Sequence, residues 1–477
     1  MFSFQHPQLF SYLAILPFDL REELLLLLPP KEIISKDSEI EEFKRVCSRE
    51  TFWERVWRKW VSPRLPNSST FPIREVLYRR VAEAKELTPE QLLLEGSRKG
   101  ILFYIVEALE RGANVSYGED LALRNAAANG YLEIVRYLVE SGANISARED
   151  EALRKAAKNG YLETVIYLVE RGANISAREE KALRWAAYIG YFDIVKYLVE
   201  KGANVSARED EALRLAASKG HVEIVSYLVE RGANISARED EALRNAAFFG
   251  HFDVVKYLVE KGAKISARKD AALGNATCMG HFEIVRYLVE SGANVSARDK
   301  ALCSAAVKGS LDIVRYLVES GVNVSARDKA LLWAVYMGYL DVVKYLVESG
   351  ENISVNIDYA LCCAASNGRF DIVRYLVEKG ANISAYENEA LSHAAIYGHF
   401  DIVKYLVERG ANISAREEKA LRWAARYGHI EIVRYLVESG ANVSARNNEA
   451  LRIASFYGHR NIVDYLISKG ADPRVLD

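Results

Sequence analysis

Along most of the chain, apolar residues recur at helical spacing in two alternating short segments. In the stretch EALRKAAKNGYLETVIYLVERGANIS, which starts at Glu151, Leu153, Ala156 and Ala157 share one side of the first segment. Val165, Leu168 and Val169 share one side of the second, at i, i+3 and i+4. This spacing predicts two amphipathic helices, residues 152–159 and 162–170, each facing a core with a narrow stripe. The small alanines let neighbouring backbones approach closely. The same pattern returns down the chain, with Ala-Leu pairs opening at Ala122, Ala152, Ala182, Ala212, Ala242, Ala272, Ala301, Ala330, Ala360, Ala390, Ala420 and Ala450. The step is 30 residues except for two steps of 29, into Ala301 and into Ala330.

Glycine punctuates the pattern twice per unit. Of 29 glycines, 24 fall at two fixed places, the series Gly130, Gly160 to Gly458 and the series Gly142, Gly172 to Gly470. Glycine just after a helical stretch marks a C-terminal cap, where the chain enters the left-handed region. Two caps per unit mean two helices per unit. Of nine prolines, eight lie between Pro7 and Pro89 and the ninth is Pro473, so the repeated region runs without that helix breaker. A thirteenth, degraded copy spans Pro89 to about Asp120, opened by a capping box at Thr88-Pro89-Glu90-Gln91. Acidic residues such as Glu149, Asp150 and Glu151 precede the first helix, where the helix dipole favours negative charge. The connecting segment, GANISARED over 142–150, is too short for a long hairpin. The expected fold is all-α: a solenoid of about 13 stacked helix pairs over 89–477, each too small to bury its own apolar face. A small helical segment over 1–60 and a linker with a capping helix over 61–88 come before it.

Composition narrows the function. The 63 basic and 65 acidic side chains leave a net charge of −2, which argues against nucleic acid and anionic membranes as partners. No run approaches the 18 apolar residues of a membrane span. The amino end lacks the basic start of a secretory signal. Five cysteines, Cys47, Cys278, Cys303, Cys362 and Cys363, form no regular framework, which fits a reducing compartment. The expected location is cytoplasmic. Every unit but one between Asn144 and Asn442 reads Asn-Ile/Val-Ser, better explained by turn formation than by glycosylation. Six of eight histidines follow the first glycine of a unit and lack metal-site spacing. Cys362-Cys363 reads as one core thiol and one surface thiol. The tyrosine of the second helix, Tyr137 to Tyr465, reads as packing between repeats rather than a base-stacking ladder. No nucleotide-binding, zinc-protease or serine-hydrolase motif occurs, so no enzymatic activity and no cofactor or metal are expected.

The string L-x-x-A-A-x-x-G-H-x-E/D-I-V-x-Y-L-V-E-x-G-A-N resembles the ankyrin repeat. Gly250-His251, Gly280-His281, Gly398-His399, Gly428-His429 and Gly458-His459 match its Gly-His step. Its usual T-P-L-H becomes E-A-L-R, as in Glu151 to Arg154, and the 30-residue repeat is three residues short at the hairpin fingertip. Repeats shortened in this way resemble those encoded by large DNA viruses. The resemblance implies a protein-binding scaffold, with the first helices lining a concave groove.

The first 88 residues read differently. Leu16-Pro17-Phe18-Asp19-Leu20, an apolar stretch through Leu24 ending at Pro29-Pro30, Val46-Cys47 and Phe52-Trp53 resemble an F-box. That resemblance implies a module gripping the adaptor subunit of a cullin–RING ubiquitin ligase through Leu16, Pro17, Leu20, Leu24, Val46, Cys47, Phe52 and Trp53. The plain alternative is a helical cap over the first repeat; both readings can hold together, with residues 73–86 as the cap.

Within the repeats, the positions that vary mark a binding surface. They are the residue before Ala-Ala on the first helix and the two residues before its glycine, which share a face. Early copies are polar there. Large side chains enter at Trp185, Ile189, Phe249, Met279, Trp333, Met337, His393, Tyr397, Trp423, Tyr427, Ile453 and Tyr457. Such residues are enriched at protein-binding hot spots, so they are the candidate contacts for a target protein. Filling the space between helices is the competing reading. The function that follows is a receptor holding a target for a ubiquitin ligase, or an ankyrin scaffold or decoy with no ligase link.

Overall fold

The computed structural model describes residues 82–349 and 354–476, together with residues 55, 56 and 80. From Pro89 onward the described residues form thirteen helix pairs, from Pro89–Lys99 with Leu102–Glu110 to Ala445–Phe456 with Arg460–Ser468. No strand occurs among them, and no helix among them is long and apolar enough to cross a membrane. They fall into two compact units, Met1–Arg238 and Glu239–Asp477. Each is built by the same rules.

Within a repeat, Leu153, Ala156, Ala157, Val165 and Leu168 are sealed from solvent, as the spacing predicts. Burying one such leucine is worth about 1.5–3 kcal/mol. Val169 departs from expectation and is only half-buried. Its place inside is taken by Thr164, 1% exposed, and by Ile134 and Ile194 in other copies. The inward stripe of the second helix therefore runs i, i+1, i+4, and the second valine sits on its flank. Pro89–Lys99 starts with the capping box expected of Thr88 and Gln91.

The described members of both glycine series adopt the left-handed conformation. At Gly160 (φ 86°) the following amide, on Tyr161, donates to the Ala156 carbonyl at 3.1 Å and closes the helix. The residue after this glycine has a second task. In the first unit, the ring of His221 lies so close to Gly190 that a β-carbon there would stand 2.6 Å from it. The His221 Nε2 also meets the Tyr188 carbonyl at 3.2 Å, one repeat back. In the second unit His281, His399, His429 and His459 make the same contact to Phe248, Ser366, Ile396 and Arg426. The Gly-His step is thus a joint between repeats. The tyrosines of the second helices also reach back, with Tyr197 donating to the Ile166 carbonyl at 3.4 Å and Tyr316 to that of Arg286 at 3.3 Å.

The segment before the first helix holds a correction. The first helix was expected over 152–159; it extends over Ala147–Asn159, and Arg148, Glu149 and Asp150 inside it form a left-handed turn with φ between 53° and 56°. Nine copies carry such a turn. For residues other than glycine this backbone costs about 1–2 kcal/mol per residue. The compensation comes from the arginine that stands where the ankyrin pattern has histidine. Arg154 is 4% exposed, and its Nε and Nη2 donate to the carbonyls of Glu149 and Arg148 at 2.9 and 2.7 Å. Arg124, Arg184, Arg214 and Arg422 clamp their own turns in the same way.

The two 29-residue copies show the alternative. Val295–Lys308 and Val324–Met337 run as continuous right-handed helices, capped by the side chains of Asn294 and Asn323. The clamp arginine is absent from both, replaced by Cys303 and Leu332. One residue fewer removes the turn; the arginine is also missing from two copies that keep it, at Gly274 and Ser392.

The acids were expected to serve the helix dipole; they serve the joints between repeats instead. Asp150, 3% exposed, accepts from the amide of Asn174 in the next repeat. Glu149 pairs on the surface with Arg178 at 3.1 Å, and Arg208–Glu179 and Arg238–Glu209 extend that ladder in the first unit. Arg268–Glu239, Arg416–Glu387 and Arg446–Glu417 repeat it in the second. The Asn-Ile/Val-Ser segments are turns in which the asparagine Oδ1 accepts from the serine amide, as at Asn174 and Ser176, 3.0 Å apart. Ahead of the first pair, residues 82–86 are helical and rest on it: Arg111 donates to the Ala84 carbonyl at 3.0 Å and Tyr104 to the Glu83 carboxylate at 3.1 Å.

Candidate functional site

The first helices carry the candidate contacts because their geometry separates two faces. Leu153, Ala156 and Ala157 point inward, which leaves positions 155, 158 and 159 and their equivalents facing outward. In the first unit Trp185 is half-buried and Ile189 is 36% exposed. In the second unit Phe249, Met279, Trp333, Met337, Tyr397, Tyr427 and Tyr457 are all exposed, from 37% at Met337 to 58% at Tyr397. His393, Trp423 and Ile453 are half-buried. None of the twelve is fully buried: eight are exposed and four are half-buried.

Some of these side chains come together. Trp423 and Tyr427 stack with centroids 5.9 Å apart, and the Arg426 guanidinium sits 5.0 Å over Trp423 and 5.1 Å over Tyr457. Trp333 meets Tyr336 edge-on at 6.1 Å. His393 Nε2 lies 3.3 Å from the Glu389 carboxylate, which Lys419 also holds at 2.8 Å. Burial raises the pKa of that carboxyl, but the Lys419 bond and the nearby cations outweigh it and hold the group below its usual range. Phe249 packs edge-on against Phe248 at 5.0 Å.

Sequence reading flagged the position before Ile189, Phe249 and Met337 but assigned no residue there. It carries Tyr188, Phe248, Tyr336 and Phe456, all exposed, with Phe456 at 83%. Tyr359 and Tyr386, half exposed and 6.4 Å apart, were missed because they belong to the segment before the helix. The adjacent pair of cysteines is shielded from solvent. Cys362 is buried, and burial pushes its thiol up to about 12; Cys363 is half-buried rather than on the surface. No cluster of metal-ligating side chains occurs among the described residues.

Leu16, Pro17, Leu20, Leu24, Val46, Cys47, Phe52 and Trp53, the candidate ligase-adaptor contacts, lie outside the described residues.

Among protein families, the model for ankyrin repeats (three copies) matches eight overlapping stretches, 93–179, 123–209, 156–239, 183–269, 237–299, 297–358, 331–417 and 414–477. No curated protein matches the chain.

Proposed function

The chain belongs to the ankyrin-repeat family, and from that premise we propose that its outward first-helix residues capture a target protein for a cullin–RING ubiquitin ligase. The family makes it a protein-binding scaffold. The observation that carries the rest is the run of large apolar side chains held out to solvent on an otherwise well-packed fold. Eight of the twelve candidates are exposed, and exposed aromatic and methionine clusters of this kind characterise binding surfaces. The candidate contacts are Trp185 and Ile189 in the first unit, and Phe249, Met279, Trp333, Met337, His393, Tyr397, Trp423, Tyr427, Ile453 and Tyr457 in the second.

The ligase link rests on the F-box resemblance of the amino-terminal segment. The docking of residues 82–86 on the first helix pair supports a capping role for the end of that segment. The test is co-purification of the full chain with the ligase adaptor from cells. Capture of the adaptor, lost on Leu16→Ala, Pro17→Ala and Trp53→Ala together, is the expected result. Absence of the adaptor from the purified wild-type chain overturns the ligase link and leaves the second reading, a scaffold or decoy that binds its partner alone.

A further inference from the structure

The outward face of the first unit differs in chemistry from that of the second. Around Trp185 the structure gathers amines. Lys158, from the preceding repeat, stands 4.9 Å over the indole, and Lys181, one turn before Trp185, stands 4.5 Å over it. Lys219, from the following repeat, stands 4.7 Å over Tyr188. Three consecutive repeats thus each place a lysine on one aromatic pair.

None of these three amines has a carboxylate within ion-pair reach among the described residues. The acids on the same face are already engaged. Glu151 holds Lys155 at 3.0 Å and Arg124 at 2.8 Å, and Glu211 holds Arg184 at 2.8 Å and Arg208 at 3.2 Å. The surplus of positive charge is local, since the whole chain carries −2. Burial and the cations Arg154, Arg178, Arg184 and Lys158 hold the Lys181 ammonium below its usual range, as an unneutralised cluster requires. The arginines of the glutamate ladder in this unit, Arg148, Arg178 and Arg208, are paired with carboxylates.

From this geometry we infer that the face formed by Lys158, Lys181, Lys219, Trp185, Tyr188 and Ile189 binds an acidic segment of a partner protein, with carboxylates on the three amines and an apolar residue against Ile189 and Tyr188. The inference rests on the protein-binding reading and gives it a partner chemistry. A single-stranded nucleic acid fits less well. The indole already carries two amines, so a base would have to displace them to stack. Carboxylates instead add to the amines where they stand, and charge pairing steers the encounter.

The test uses the full chain and fluorescence anisotropy with three labelled probes: a twelve-residue peptide alternating Glu and Phe, its Gln/Phe counterpart, and an oligo-dT of the same length. The Glu/Phe peptide should bind at least tenfold more tightly than the Gln/Phe peptide. Lys158→Glu, Lys181→Glu and Lys219→Glu together should weaken it at least tenfold, while the three Lys→Arg replacements retain it. Lys158 and Lys219 are exposed and Lys181 is half-buried, and an unchanged far-UV dichroism spectrum shows that the variants fold. Equal binding of the two peptides, indifference to the Glu replacements, or tighter binding of the oligonucleotide overturns the inference. Substitutions at Trp333 and Trp423 leave these lysines untouched, so the acidic-segment inference and the general binding reading fail in separate experiments.

Discussion

Asp150 and Asn174 stand one repeat apart, and a carboxylate oxygen of the first accepts the backbone amide of the second at 2.8 Å. The pairing recurs at a spacing of 24 residues, through Asp210 to Asn234 and, in the second unit, Asp270 to Asn294. At Asn388 and Asn448 the acceptor is an asparagine, and the bonds to Asn412 and Asp472 survive at 2.8 and 3.0 Å. The chain therefore contains its own control: the joint needs an oxygen, not a charge.

Asp150→Asn should accordingly leave stability intact at neutral pH, while Asp150→Ala should cost about 1–3 kcal/mol by orphaning the Asn174 amide. Burial raises the folded-state pKa of Asp150 above its ordinary value. The fold therefore holds the proton more tightly than the unfolded chain, and ionisation costs stability as pH rises from the ordinary aspartate range through the raised value. The Asn variant escapes that cost. Urea unfolding at pH 3.5 and pH 7 should show it gaining on the wild type as pH rises. A variant that falls behind as pH rises contradicts this.

Gly190 and Gly202 separate two uses of glycine. Both have positive φ, 105° and 97°, but only Gly190 lies under a ring. Gly202→Ala should cost the backbone penalty of about 1–2 kcal/mol. Gly190→Ala should cost more, and His221→Ala in the same chain should recover the excess. Thermal melts of the three variants measure it, and equal losses at the two glycines contradict it.

Arg154 is predicted to pin its left-handed turn. Arg154→Ala should destabilise by about 2–4 kcal/mol, since two charge-assisted bonds, to the Glu149 and Arg148 carbonyls, are lost. Deleting Glu149 in that variant copies the 29-residue repeats and should restore stability by letting the helix run straight. Denaturant midpoints decide it: a deletion that worsens the loss argues against the account.

Cys362 and Cys278 should differ in reactivity. Cys362 is buried with its thiol pushed up to about 12, whereas Cys278 is exposed. Iodoacetamide at pH 8 followed by peptide mapping should label Cys278 readily and Cys362 only after unfolding. Comparable labelling of the two in the native chain contradicts the burial.

The period, the paired helices, the glycine caps and the outward face were legible because each follows from spacing alone. Leu153 and Ala156 could not face solvent once the pattern repeated twelve times, and Trp333 and Tyr427 stood at positions left over. Arg148, Glu149 and Asp150 were not legible as a left-handed turn, because their intrinsic preference opposes it. The arginine of the E-A-L-R motif gave no clean signal, since it is missing from the two shortened copies, at Cys303 and Leu332, and also from copies that keep the turn, at Gly274 and Ser392. Asp150 was misread because helix dipole and inter-repeat bond ask for the same residue type. Val169 was misplaced because i+3 and i+4 neighbours look alike until the helix has a partner to rotate against.

The central claim is that large side chains on the first helices grasp a protein rather than hold the fold. Its most direct measurement pairs capture with folding in one variant, Trp333→Ala, Met337→Ala, Trp423→Ala and Tyr427→Ala combined, in the full chain. Partners identified by mass spectrometry on the wild type should be lost from the variant, while its far-UV dichroism and cooperative melt remain within a few degrees of the wild type. Undiminished capture, or a helical signal that collapses with the substitutions, would contradict the account.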